Sequence, residues 1–167
     1  MTATKRRTAV LSLLLISILL PMATGCSTNA VTGKTQLILI PRSYEISMGL
    51  QAAPQVATQF GGPVADATLQ AYIQMVGKKV AAVAKRKMPY DFTLVNSEIP
   101  NAFALPGGKI FVTAGLMSRM TNEQQLAAVL GHEIIHVAAQ HGVTHMQDQM
   151  GVMVFSELAK TVAGPDK

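Results

Sequence analysis

The 167 residues suffice for one domain and not comfortably for two. Apolar residues make up 49%, aromatics 5%, and there is no Trp, which suits a small helix-rich core of Val, Leu, Ile and Ala with the ten Met residues as flexible filler. The formal charge of +5 falls to +2, 11 basic residues against 9 acidic, once Lys5, Arg6 and Arg7 are set aside as part of a leader, so charge gives no case for nucleic-acid binding.

That leader comes first in the chain. A basic start at Lys5-Arg6-Arg7 precedes an apolar run from Ala9 to Leu20, closed by Pro21. The run is shorter than the roughly 20 apolar residues a bilayer span needs, and matches the hydrophobic stretch of a signal peptide. Ala23-Thr24-Gly25-Cys26 follows and resembles the bacterial lipobox, which implies cleavage before Cys26 and acylation of its thiol. The competing reading is an ordinary secretory signal cleaved near Gly25. Cys26 is the sole cysteine, so no disulfide can form within the chain. Residues 1–25 are therefore expected to be signal, 26–36 a lipidated tether and 37–167 the folded domain, with Ser27–Gly33 small, polar and tether-like.

Leu37 to Ile40 is a short apolar run ended by Pro41, a strand or a packing hook. Ser43 to about Phe60 has helical character that Pro54 should kink or divide, and Gly61-Gly62-Pro63 breaks the chain. A better helix is expected from Asp66 to Lys87: Asp66 caps its start, and Leu69, Tyr72, Ile73, Val76, Val80 and Val83 form one stripe. The cluster Lys85-Arg86-Lys87 then reads as a complement to the dipole at the helix end. Extended pieces are expected at Tyr90–Val95 and Ala102–Leu105, and Pro106-Gly107-Gly108 turns the chain into a third, Lys109–Thr113, with the form of a hairpin. Thr121-Asn122-Glu123-Gln124 has the form of a capping box with Thr121 as N-cap. It launches a helix from Glu123 to Gln140 that Gly142 ends or bends, before a weaker helical pattern from Val143 to Val162.

The chemistry lies in the first of these two helices, as His132-Glu133-Ile134-Ile135-His136. Two histidines four residues apart share a helix face about 6 Å apart along the axis. Both imidazoles can then converge on one Zn²⁺ at about 2.0–2.1 Å from each nitrogen. Glu133, about 100° round the helix from His132, need not bind the metal and is placed as the general base for peptide hydrolysis. Ala139 and Gly142 stand where a metzincin needs Gly and His, which excludes that class. His141 and His145 form a second pair, but on a straight helix His141 lies half a turn from His132, so both read as surface or structural histidines. A third protein ligand is required, and the only glutamate after Glu133 is Glu157. If Val143 onward is all helix, Glu157 stands about 24 Å beyond His141 and misses the pair. If residues 142–150 form a loop, Glu157 comes level with it.

Taken together the stretches resemble the zinc metallopeptidases that include the CAAX prenyl endopeptidases and the bacterial heat-shock membrane proteases, in their periplasmic lipoprotein branch. The matching segments are Gly25–Asn29 with Val31-Thr32-Gly33, Asn101–Gly108, Ile110–Leu116 and Ala127–Glu133, followed by His136 and His141. The resemblance implies an α+β, mostly helical gluzincin domain with a small β-hairpin before the motif helix. It implies one Zn²⁺ on His132 and His136, Glu133 as base, and a sheet edge at Ala102–Leu105 for an extended substrate. It also implies an outer-membrane lipoprotein facing the periplasm, held by its lipid, that cleaves misassembled envelope polypeptides; Ser27 after Cys26 agrees with outer-membrane sorting. The family's third ligand lies in a Glu-x-Glu-Ala-Asp-like stretch absent before Lys167, so the chain is expected to hold the N-terminal portion of the catalytic domain. The alternative is a non-hydrolytic lipoprotein that binds unfolded or partner envelope proteins.

Overall fold

The main sheet sets the architecture, because side chains are buried on both of its faces. The computed structural model describes residues 26–163, with side chains within 28–156. Its elements are β1 (Cys26–Thr28), β2 (Thr35–Leu37), α1 (Arg42–Gln59), α2 (Ala67–Ala82), β3 (Asp91–Val95), β4 (Ala102–Leu105), a 3-10 turn (Pro106–Gly108), β5 (Lys109–Thr113), α3 (Ala114–Met117), α4 (Glu123–Ala138) and α5 (His141–Ala163). The main sheet has the order β3-β5-β4. The expected hairpin is present, with β4 antiparallel to β5, Ala102 opposite Val112 and Leu105 opposite Lys109. Strand β3 pairs with β5 in parallel, Asp91 opposite Lys109.

One sheet face carries Phe92 and Leu94 of β3 and Ile110 and Val112 of β5. These pack with Ile73 and Val76 of α2 and Leu126, Leu130 and Ile134 of α4. The other face carries Val95 and Phe111, which pack with Ala57 of α1 and the part-buried Phe60, Phe103 and Leu105. Phe103 lies opposite Phe111 with ring centroids 5.2 Å apart. Burial of each such side chain contributes about 1.5–3 kcal/mol. The domain is thus α+β and mostly helical, of the zincin type, with α2 and α4 on one side of the sheet and α1 on the other. Two close approaches depend on glycine: a Cβ on Gly77 would overlap the Phe92 ring, and one on Gly49 would overlap the Pro106 carbonyl oxygen.

The structure revises several local expectations. Pro54 lies inside an unbroken α1. Helix α2 stops at Ala82, so Val83 is left 83% exposed beyond the stripe. Of the Lys85-Arg86-Lys87 cluster, Lys87 donates to the Ala82 carbonyl at 2.7 Å, as a helix-end cation should. Arg86 instead turns inward to Glu45. The N-cap of α4 is Asn122, not Thr121: its side chain accepts from Gln125 N at 3.0 Å, and Gln125 Oε1 accepts from Thr121 N at 2.8 Å. The box has moved one residue along because Asn122 has the extended backbone of a cap.

The segment expected to be a tether is folded. Strands β1 and β2 pair antiparallel, Cys26 opposite Leu37, and buried Asn29 holds the turn by accepting from Val31 N and Thr32 N. Gln147 on α5 secures the following stretch, accepting from Leu39 N and Ile40 N and donating to Leu37 O. Residues 1–25, where a leader is expected, lie outside the described residues.

Candidate active site

Helix α4 is fixed by its apolar stripe. Leu126, Leu130, Ile134 and Val137 are buried, which turns the His132/Glu133/His136 side of the helix toward β4. Small Ala102 and Ala104 of β4, packed against the same core, allow the close approach. The Nε2 atoms of His132 and His136 lie 3.0 Å apart, with the rings edge-on at 72°. Two nitrogens each about 2.0–2.1 Å from a tetrahedral zinc would be separated by about 3.3 Å, so the donor pair fits a zinc ion. Glu133 is only 9% exposed.

Two cavities meet at this point. One, of about 400 Å³, runs along Phe103–Pro106 and takes in His132, Glu133, His136 and His141. The other, of about 490 Å³, lies toward Asn101, Leu116 and Val129. Ala102, His132 and Glu133 line both, so the histidine–glutamate cluster sits midway along a groove beside β4. That strand pairs only with β5 among the described residues. Asn101 O accepts from Thr113 N, and by the alternation of antiparallel pairs residues 103 and 105 also bond inward. Ala102 and Ala104 therefore direct their N–H and C=O groups into the groove.

His141 was expected to face away from the site, and the structure corrects this. Helix α4 ends at Ala138, and Gln140 adopts a left-handed φ of 60°. A new helix then starts at His141, so Gly142 is not the break. The bend brings His141 Nδ1 to 2.8 Å from His136 Nδ1. Asn29 Nδ2 donates to Ala139 O at 3.0 Å, and Gln36 Nε2 to Gln140 Oε1 at 3.1 Å, so the N-terminal hairpin braces the corner. His145 is exposed and within hydrogen-bonding distance of Gln149.

Two further residues under the groove carried no sequence signal for this place. Glu45, 1% exposed, lines the first cavity and receives Arg86 through both oxygens at 2.6 and 3.0 Å. Gly107 N donates to Glu45 at 3.2 Å, and Arg86 Nη1 to Val137 O at 3.2 Å, beside His136. Only an Arg in a basic cluster and a Glu in a first helical turn were visible, 41 residues apart.

Helix α5 is continuous from His141 to Ala163, the arrangement in which residue 157 stands about 24 Å beyond His141; the side chain of Glu157 lies outside the described residues. Among the described residues no group of three or more His, Cys, Asp or Glu is disposed to hold a metal.

Comparison with known proteins agrees with the motif. The chain is 39% identical over 85 residues to the beta-barrel assembly-enhancing protease of Escherichia coli, covering 50% of this chain and 18% of that protein. It is 33% identical over 101 residues to the mitochondrial metalloendopeptidase OMA1 of Schizosaccharomyces pombe, covering 59% and 30%. With human mitochondrial metalloendopeptidase OMA1 the identity is 40% over 65 residues, covering 36% and 12%. The chain thus spans less than a third of the length of these relatives. The model of Peptidase family M48 matches residues 67–164, more than half of the chain, and the protein belongs to that family of metallopeptidases.

Proposed function

We propose that this chain carries the two-histidine and general-base part of a zinc endopeptidase site acting on envelope proteins, in the lipoprotein branch of its family. The observation that carries the reading is the His132–His136 nitrogen pair, 3.0 Å apart beside Glu133, opening onto a groove along a strand edge that is unpaired among the described residues. His132 and His136, whose Nε2 atoms lie 3.0 Å apart, would hold the metal. Zinc bound there supplies Lewis acidity toward water and toward a peptide carbonyl. Ala102 and Ala104 bind an extended polypeptide through their outward N–H and C=O groups, laying its backbone across the histidines. Glu133 takes a proton from the attacking water and returns it to the leaving amine nitrogen. The third ligand of a catalytic site we place outside the described residues and, given the length of α5, not at Glu157. Envelope substrates are supported by the name of the Escherichia coli relative, a beta-barrel assembly-enhancing protease.

The test is zinc content together with casein hydrolysis. The protein is expected to bind one zinc per chain, more weakly than a three-ligand site, and Glu157→Gln should leave that affinity unchanged. Any hydrolysis should stop with chelator and return with zinc. Capture of unfolded envelope protein with no zinc bound would favour the non-hydrolytic alternative.

Attachment is proposed through Cys26, which opens β1 and gives an outer-membrane lipoprotein facing the periplasm. Cys26→Ala is expected to lose both the lipid mass increment and membrane partitioning. A lipid-sized increment persisting in a variant with its leader cleaved would overturn the anchor.

A further inference from the structure

Resting on the zinc reading above, we propose that His141 is a positioning residue that fixes the tautomer and ring plane of His136. The ring of His136 is engaged at both nitrogens: Nε2 faces His132 Nε2 at 3.0 Å, and Nδ1 faces His141 Nδ1 at 2.8 Å. A neutral imidazole carries one proton. With the Nε2 lone pair given to the metal, the proton sits on Nδ1 and is donated to His141 Nδ1, which accepts while His141 carries its own proton on Nε2. A metal-bound histidine ordinarily donates its second N–H to a carboxylate, a backbone carbonyl or water. Here an imidazole takes that place, holding the ring without adding negative charge beside the metal.

The fold builds this contact specifically. On a continued helix His141 would point away from His136, five residues earlier. It is the left-handed Gln140, a conformation uncommon outside glycine, that swings it back. The corner is held by Asn29 on Ala139 O and Gln36 on the Gln140 side chain. The two rings meet at 71° with centroids 4.9 Å apart. His141 is solvent-exposed, so replacing it leaves the core intact.

The experiment measures zinc affinity by chelator competition, and the melting temperature of the zinc-free protein, for wild type, His141→Phe, His141→Gln and His136→Ala. Phe keeps a ring without an acceptor, whereas Gln restores an acceptor oxygen. His141→Phe is expected to weaken zinc binding on the order of 10–100-fold with the zinc-free melting temperature unchanged. His141→Gln should recover part of the loss. Wild-type affinity in His141→Phe, no recovery in His141→Gln, or losses that follow a lowered melting temperature would overturn the positioning role. Zinc affinity in His136→Ala equal to wild type would instead overturn the metal-site reading itself, which separates the two failures.

Discussion

Glu133→Gln is expected to lower zinc-dependent peptide hydrolysis by about a hundredfold to ten-thousandfold, the usual contribution of a positioned general base, while zinc content stays at the wild-type level. The amide matches the carboxylate in size, so the largely buried site beside Leu130 and Val137 keeps its packing. What the amide lacks is the capacity to take a proton from water and pass it to the leaving nitrogen. His132 and His136 are untouched and keep their 3.0 Å nitrogen spacing. Zinc content by elemental analysis and peptide cleavage under saturating zinc are the two measurements, made on a form of the protein that hydrolyses. Loss of zinc in Glu133→Gln would put the carboxylate among the ligands, and unchanged cleavage would remove it from the reaction.

The parts of this site that could be read from sequence are those whose geometry is local. His132, Glu133 and His136 fall within about 1.1 turns of one helix, so their relative positions follow from helical periodicity alone. The β4–β5 hairpin follows from two extended runs around Pro106-Gly107-Gly108, where Gly107 and Gly108 take φ values of 80° and 90°. His141 escaped because its position depends on where α4 stops. Gly142 advertises a break, but the actual bend is at Gln140, held by side chains from residues 29 and 36, more than a hundred positions earlier. The parallel pairing of β3 with β5 joins segments separated by α-helix-free chain and no periodic signal records it. The folded N-terminal hairpin escaped for a related reason: small polar residues read as linker unless the acceptor they bond to, here Ala139 O, is known.

Arg86 illustrates the same limit and carries the larger stability effect. Its guanidinium meets Glu45 through two hydrogen bonds, with side-chain exposures of 15% and 1%, and ties α1, the turn at Gly107 and the C-terminal end of α4 into one unit. A buried pair of this kind adds little over well-packed apolar groups, but removing one partner strands the other charge without water. Arg86→Met is therefore expected to destabilise the protein by about 3–5 kcal/mol. At about 2–4 °C per kcal/mol for a chain of this size, that lowers the melting temperature by roughly 6–20 °C. The cost arises from the uncompensated Glu45 carboxylate, so a second substitution, Glu45→Leu, should restore a large part of the loss in the double variant, as a thermodynamic cycle would show. Zinc affinity should fall with Arg86→Met as well, because Val137 O, one residue from His136, loses its donor. A drop in stability under about 1 kcal/mol, the range of an exposed ion pair, would show that water reaches Glu45. A double variant no more stable than the single one would mean that the pair is needed for the shape of the pocket floor and not merely for charge balance.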